Sequence, residues 1–390
     1  MRILVLSYEY PPIGGGGGII CRNVTERMAG MGHQMTVVTA ALSTSDVAVS
    51  NTKSENLKIV RLRTFRKRSH QSNPVEMLAW INVTKEYLRR FPVSESFDLC
   101  MAHFVLPGGE VAMWLKKHFG IRYCLVSHGH DIPWVHPRQM FLFHLGSYLR
   151  IKAICRGSSA IFVQTQKMKD NFLRFAGERE SGKCHIVPNG TDYKIFHPNR
   201  RSENGKLKIL FVGRLVIQKD PMTLLKSVRL VAEQIGDFTV RIIGDGSLKK
   251  KLERFADKNE LSQYVEFSGK IGIEEMAGEY HSAHILIAPS LNEGMSLSAI
   301  EALRSGVYLI ATRASGFEDL IVEGRNGEFL KFGDFRGLAG KICDFNTRRT
   351  IGLLPDLGNI DLLPTRLDWA NLTGDYLKII GAILTQKMGV

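Results

Sequence analysis

The chain has 390 residues, 44% hydrophobic and 23% charged, with 52 Lys and Arg against 38 Asp and Glu for a formal net charge of +14. These proportions sit near the globular average and exclude a disordered or collagen-like chain. At roughly 100–200 residues per domain the length predicts two domains, each able to bury its own core, while the basic excess admits nucleic acid, a membrane surface or an anionic substrate as partner.

The opening MRILVLSYEY reads as a first β-strand and not as a secretory signal, since its short apolar run gives way to polar residues and prolines. Five glycines follow, Gly14 to Gly18, ahead of a helical pattern. Such a run lets backbone amides approach a ligand closely, or serves only as a flexible loop. It does not fit the dinucleotide fingerprint in any register, the acid expected about 20 residues on is missing, and no Gly-Lys pair is followed by the Ser or Thr of a Walker A loop.

Short β-branched runs then alternate with helical patterns: MTVVTA, LKIVRL, DLCMAHF, RYCLVSH, AIFVQT and HIVPNG. At the end of RYCLV stands HGHD, His128 to Asp131. A metal site there lacks a third convergent ligand, so His128 is a hydrogen-bonding or acid/base candidate, or a structural histidine, and His130 is equally a structural candidate. After a turn-rich stretch from Thr191 to Gly205 the rhythm restarts with KILFVGR, TVRIIGD, VEFSGK, HILIAPS, VYLIATR and GEFLKF. Nearly continuous apolar strands predict two doubly wound α/β domains whose ligands lie at the carboxyl ends of parallel strands. The expected boundaries are 1–195 and 206–365, with a closing helix over 366–390.

In the second domain, Arg214 and Lys219 follow the first strand, where two cations suit a diphosphate or are simply solvated. PSLNEGMSLSAIEAL joins a strand end to a helix; Glu293 precedes that helix and Glu301 lies eight residues on, about two turns down it. The amides from Gly294 to Leu297 offer a seat for phosphate, and the same pattern also fits a capped, exposed helix.

Taken together, PPIGGGG with MGHQMTVVT, LVSHGHD, VPNGTD, VGRLVIQKDP, IIGDGSLKKKLE, the Glu293-x7-Glu301 pair and ATRASGFEDLIVEGRNGEFLKFGD resemble the retaining glycosyltransferases of family 4 (glycosyl transferases group 1). The resemblance covers nearly the whole chain and weakens from Arg336 to Thr365. It implies the GT-B fold, two Rossmann-like domains facing across a cleft with the C-terminal helix closing back on the first. It also implies a nucleotide-diphosphate sugar donor held mainly by the second domain, a hydroxyl acceptor held by the first, retained anomeric configuration and no metal cofactor.

Carried over by motif, Arg214 and Lys219 would neutralise the departing diphosphate, Glu301 would hold the ribose, and Glu293 the sugar hydroxyls. The amides of Met295, Ser296 and Leu297, with Gly294, would support the phosphate. Gly15 and Gly16 would close over it, His128 would line the reacting centre, and Ile271 would contact the base. Met295 and Ser296 replace a Phe and a Gly usual in the family, and Gly316 and Glu318 match its next loop only in part.

The charge is one-sided. Residues 1–201 carry 28 Lys and Arg against 14 Asp and Glu, and residues 202–390 carry 24 of each. The excess concentrates in Arg61 to Arg68, in Arg89 and Arg90, and in Arg150, Lys152 and Arg156. That placement predicts docking on an anionic membrane to reach a lipid-linked or glycan acceptor. No apolar run nears the roughly 20 residues of a membrane span, and six scattered cysteines without C-x-x-C spacing fit a reducing compartment. The expected place is the cytoplasm, peripheral on the inner face of the membrane. Two other classes compete. A non-hydrolysing sugar-nucleotide epimerase would isomerise its substrate without an acceptor, and a basic nucleic-acid-binding protein has only the charge in its favour, with no RNA motif, zinc finger or basic zipper.

Overall fold

Fourteen strands form two sheets among the residues that the computed structural model describes, which are 1–42, 48–51, 54–66, 72–90, 96–129, 131, 141–198, 205–354, 363 and 367–385. The first sheet contains β1 (Arg2–Leu6), β2 (Gln34–Ala41), β3 (Ala48–Asn51), β4 (Leu57–Arg63), β5 (Leu99–His103), β6 (Tyr123–Val126), β7 (Ala160–Val163) and β8 (Cys184–Ile186), in the order β3-β4-β2-β1-β5-β6-β7-β8. Every pairing is parallel except β3 with β4. The second contains β9 (Leu207–Val212), β10 (Phe238–Ile243), β11 (Val265–Gly269), β12 (Ile285–Ala288), β13 (Tyr308–Thr312) and β14 (Gly327–Leu330), all parallel, in the order β11-β10-β9-β12-β13-β14. All thirteen expected strands are present. The edge strand β3 adds a fourteenth, in a segment whose mixed Ser, Thr and Val content gives no period-2 apolar signal.

The connecting helices are α1 (Gly16–Gly30), α2 (Pro74–Arg89), α3 (Glu110–Phe119), α4 (Phe141–Gly157) and α5 (Gln166–Ala176) for the first sheet. For the second they are α6 (Pro221–Ala232), α7 (Lys249–Lys258), α8 (Ile273–Ser282), α9 (Leu297–Arg304), α10 (Ser315–Glu318) and α11 (Phe335–Thr350). Local chemistry starts several of them. Asn73 and Glu76 form a reciprocal capping box on α2, with Pro74 in the first turn, and Asp220 caps α6 ahead of Pro221. In the second unit Leu224, Val228, Leu338 and Phe345 pack one core cluster, while Tyr280, Ile300 and Phe317 pack another. A parallel sheet covered on both faces in this way accounts for strands that are apolar almost throughout.

The chain divides into one unit of Met1–Asn189 with Trp369–Val390, and a second of Gly190–Asp368. The boundary therefore falls before residues 190–195, which the sequence places in the first domain. Thr191 bridges to Asp368 and donates its amide to Leu367, tying that segment to the second unit. The last helix, α12 (Trp369–Thr385), packs on α1 of the first unit, with Tyr376 buried and its ring 4.6 Å from that of Phe162. Arg122 of the first unit donates to the carbonyl of Ile383 near the end of α12. The arrangement is the GT-B fold, two Rossmann-like α/β units with the terminal helix returned to the first.

Candidate functional site

In a doubly wound sheet the ligand crevice opens where strand order reverses, because the connections on either side lead away to opposite faces. In the second sheet that point lies between β9 and β12, the strands whose trailing loops carry Arg214–Lys219 and Ser290–Ser296. The two loops are joined. Leu291 donates its amide to the Gln218 carbonyl at 2.8 Å, the Gln218 side chain donates to the Asn292 carbonyl at 3.0 Å, and Lys219 Nζ is ion-paired with the Glu293 carboxylate. Lys219 and Glu293 are each only about 15% exposed (15% and 14%), so the pair is shielded from the screening that weakens surface pairs. Arg214 is exposed beside them.

On the other side of β9, glycines let two loops approach closely. A Cβ at Gly244 would lie 1.9 Å from the Gly213 carbonyl oxygen, and one at Gly246 would lie 2.4 Å from that of Leu215, so the loops after β9 and β10 stack backbone on backbone. Ile271 sits in the next loop, between β11 and α8, with its side chain half-buried against the core.

Helix α9 follows Glu293 and Gly294. Ser296 is its N-terminal boundary residue, and the Ser296 hydroxyl is buried and lies 3.0 Å from that of Ser298, while the Met295 side chain turns into the core. The two residues that replace the family's Phe and Gly thus point into protein. Gly316 explains the partial match in the following loop, since a Cβ there would lie 1.9 Å from the Gly294 carbonyl oxygen. Glu301, on the second turn of α9, accepts a hydrogen bond from the buried Tyr280 hydroxyl at 3.1 Å. It keeps some solvent contact, yet burial pushes its carboxyl up to about 7, with the tyrosine bond opposing that rise.

In the first sheet the order reverses between β1 and β5. The loop after β1 carries the glycine run, of which less is loop than the sequence implies. Gly14 takes a left-handed φ of 102°, Gly15 is the helix boundary, and α1 already includes Gly16, Gly17 and Gly18. Nothing would meet a Cβ at Gly15 or Gly16, whereas one at Gly17 would lie 2.5 Å from the Phe104 ring. Glu9 holds the turn by accepting the Gly15 amide at 3.0 Å.

The loop after β5 supplies what the sequence reading missed. Phe104 has a left-handed φ of 66°, a conformation that costs a non-glycine residue about 1–3 kcal/mol and concentrates at functional sites. Its ring bridges the glycine turn and His128, with centroids 4.4 Å apart. His103, the last residue of β5, is fully buried and its Nδ1 lies 3.1 Å from His128 Nε2. Asp131 fixes the loop after β6 by accepting from the Val105 amide at 2.8 Å, the Ser127 hydroxyl at 2.8 Å and the His128 amide at 3.1 Å. The rule that ligands gather at strand ends was the available signal for His103. His130 lies outside the described residues.

Not all of the expected basic surface faces solvent. Arg66 is fully buried, with its guanidinium 4.4 Å from the Tyr8 ring centroid, bonded to the Tyr8 carbonyl at 3.1 Å and 3.8 Å from the Glu9 carboxylate. Arg61 is half-buried and bonds the Pro11 carbonyl. Arg89 and Arg90 are exposed while pairing with Glu86, and Arg150, also exposed, makes a two-pronged bond to Glu110 at 2.6 and 2.7 Å. Lys67 and Arg68 lie outside the described residues. Arg63 and Arg156 are exposed too, Arg63 close in sequence to the exposed Phe65 and Arg156 on α4 with the exposed Leu145 and Leu149. Among the described residues no three His, Cys, Asp or Glu gather as metal ligands, and no helix is long and apolar enough to cross a membrane.

Comparison with known proteins agrees with this architecture. The family model described as Glycosyltransferase Family 4 matches residues 14–194, and that described as Glycosyl transferases group 1 matches residues 192–349. An uncharacterised glycosyltransferase of Methanocaldococcus jannaschii is 26% identical over 360 residues, covering 90% of this chain and 91% of its own. Among solved structures, sucrose-phosphate synthase from Thermosynechococcus elongatus superposes with a TM-score of 0.81 at 18% identity, covering 98% of this chain and 99% of its own. Anabaena HepE in complex with UDP-glucose gives 0.72 at 17% identity over 98% and 100%. At these identities the structural likeness speaks for the fold alone.

Proposed function

The chain belongs to glycosyltransferase family 4 and is a glycosyltransferase of the kind that uses nucleotide sugars, and from that premise we propose a retaining, metal-independent hexosyltransferase. It would move a hexosyl unit from a nucleotide-diphosphate sugar to a hydroxyl of a lipid-linked or polysaccharide acceptor in cell-envelope glycan or glycolipid synthesis. The observation that carries this reading is the largely shielded Lys219–Glu293 pair at the strand-order reversal of the second sheet, in the loops that also carry the start of α9 and the exposed Arg214.

In this reading the bond between the sugar's anomeric carbon and the diphosphate oxygen breaks as charge builds on the leaving phosphate. Arg214, Lys219 and the first-turn amides at Met295, Ser296 and Leu297, with Gly294, stabilise that charge. Fixed donors and cations of this kind lower such a barrier by several kcal/mol. The acceptor hydroxyl forms the new bond on the same face of the sugar, and its proton passes to the leaving phosphate. Glu293 holds sugar hydroxyls, Glu301 the ribose, and the Ile271 backbone the base. From the first unit, Gly15, Gly16 and His128 serve the phosphate and the sugar. The HepE complex with UDP-glucose makes a uridine donor the first to test.

Acceptor access is read from the first unit. Leu145 and Leu149 on α4 are 63% and 79% exposed, and Arg156 lies on the same helix. Apolar side chains among cations suit the interface of an anionic membrane, where each basic residue contributes about 1 kcal/mol. The deciding experiment is a thermal-shift screen with UDP, GDP and ADP and their sugars, followed by product stereochemistry with the donor that binds. A ligand of the native state raises the melting temperature by mass action. No shift with any of the six classes of compound, or an isomerised sugar nucleotide without acceptor, would overturn the proposal.

A further inference from the structure

We propose that Glu9 makes the glycine turn of the first unit a subsite for an uncharged sugar, taking a sugar hydroxyl on its carboxylate and keeping phosphate away. The inference rests on the reading of that turn as part of the transfer site, and it divides the turn's duties by giving the Gly15 end to the sugar.

Glu9 lies in the loop after β1, at the reversal of strand order where a doubly wound sheet opens its crevice. Its carboxylate is set from two sides. Oε2 accepts the Gly15 amide at 3.0 Å, and Oε1 lies 3.8 Å from the guanidinium of Arg66. Arg66 is fully buried and bonded to the Tyr8 carbonyl at 3.1 Å. A cation buried in this way holds its carboxylate in place, because withdrawing the partner would leave the charge uncompensated. Gly14 completes the fit: in its left-handed conformation, a Cβ would lie 2.5 Å from Glu9 Cβ and 2.6 Å from Oε2.

The carboxylate is held without being used up. It offers about four lone-pair positions, of which the Gly15 amide takes one, while the Arg66 contact is longer than a hydrogen bond. The Glu9 side chain is 25% exposed, and a Cβ at Gly15 or Gly16 would meet nothing within 4 Å, so the turn borders open space. Asp131, by contrast, already accepts three bonds from two loops.

Lone pairs of this kind suit an O–H donor. An oxyanion at the same place meets a fixed negative charge and finds the Gly15 amide taken, and like charges set side by side are a means of rejecting the wrong ligand. Phe104 supplies the other half of a sugar site. Its half-buried ring stands against Gly17 and His128, presented by a left-handed backbone. An apolar ring and a carboxylate at one turn match a pyranose, which carries C–H groups on its faces and hydroxyls around its edge.

The hydroxyl belongs to the donor's sugar or to a sugar of the acceptor, and the test separates the two. Ligand-observed NMR on the full-length protein, with UDP, GDP or ADP present, titrates a panel of methyl hexosides and the matching hexose 6-phosphates; calorimetry compares UDP-glucose and UDP-galactose with UDP. Glu9→Gln keeps an oxygen for the Gly15 amide and removes the charge. For an acceptor sugar, a neutral hexoside binds the unaltered protein at least about tenfold better than its phosphate, and Glu9→Gln abolishes that preference. For the donor's sugar, Glu9→Gln lowers affinity for a UDP-hexose relative to UDP by about tenfold. Hexose phosphates binding better than the neutral hexosides overturn the proposal, as does a Glu9→Gln protein in which both the hexoside preference and the UDP-hexose to UDP ratio are unchanged. If Glu9→Gln does not fold, Glu9→Asp, which keeps the charge for Arg66 and withdraws it from the turn, is read in the same way. Should no nucleotide bind, the functional reading fails, and the hexoside titration without nucleotide still decides the subsite.

Discussion

Lys219 and Glu293 stand 74 positions apart in sequence and form one ion pair across the reversal of strand order between β9 and β12. Each side chain is held by a loop whose backbone is bonded to the other, through Gln218, Leu291 and Asn292. The pair therefore comes with its geometry fixed before any ligand arrives.

Structure and chemistry at this pair can be separated by charge exchange. Lys219→Ala should leave the protein folded, lower its melting temperature by several degrees because a shielded carboxylate loses its cation, and reduce kcat/KM at least ~100-fold. The double exchange Lys219→Glu with Glu293→Lys should recover much of the melting temperature and none of the transfer. Recovery of both, in calorimetry and steady-state kinetics, would make the pair structural only.

Glu301 titrates near neutrality, and the sign follows from its raised value. Between its ordinary 4.5 and about 7 the unfolded chain ionises this group while the folded protein does not, so stability falls as pH rises through that window and stays lower above it. Glu301→Gln should therefore melt higher than the parent at pH 8, by on the order of 2–3 kcal/mol, with the difference gone below pH 4.5. Ribose hydroxyls bond best to the ionised carboxylate. Nucleotide affinity should rise with pH through about 7, and calorimetry should detect proton release on binding.

Gly316 tests the loop that bears Gly294. A methyl group there has no room against the Gly294 carbonyl, so Gly316→Ala should shift that loop and weaken nucleotide binding ~10-fold or more. Gly340→Ala, in open space within α11, should be neutral or stabilise by about 0.5–1 kcal/mol. Ligand-induced melting shifts compare the two.

Gly16 asks the same question of the first unit with the opposite structural sign. An alanine there meets nothing and lies in the first turn of α1, so Gly16→Ala should raise the melting temperature slightly. If its backbone faces the donor, KM for the nucleotide sugar should still rise several-fold. An unchanged KM would take Gly16 out of the site.

Membrane docking has a direct assay. The protein should float with vesicles containing anionic lipid at low salt, and Leu145→Ser with Leu149→Ser should reduce the bound fraction several-fold. Equal flotation of the two proteins would move the contact elsewhere.

Periodicity was sufficient for the sheets. The runs KILFVGR through GEFLKF map onto β9 to β14, because a strand buried on both faces must be apolar at every position. The residues proposed for the donor side could be picked out because Arg214, Lys219 and Glu293 follow strand ends in recognisable loops and Glu301 stands at a fixed spacing on the helix that follows. His103 was not, since CMAH reads as one more buried strand and only three-dimensional proximity sets its ring against His128. Phe104 was hidden for another reason, as no side-chain pattern signals a left-handed backbone at a phenylalanine. Arg66 shows the limit of charge counting. Among the described cations of that run it is the one folded under Tyr8 and Glu9, where it secures the turn before the glycines.

The return of α12 to the first unit imposes an order on biosynthesis. The second unit, Gly190–Asp368, is complete when Asp368 has left the ribosome, whereas the first lacks α12 until Trp369–Thr385 has emerged after it. Domains commonly mature in the order of their synthesis, and here the unit begun first is finished last. Until then the surface of α1 that receives α12, and the ring of Phe162, face water.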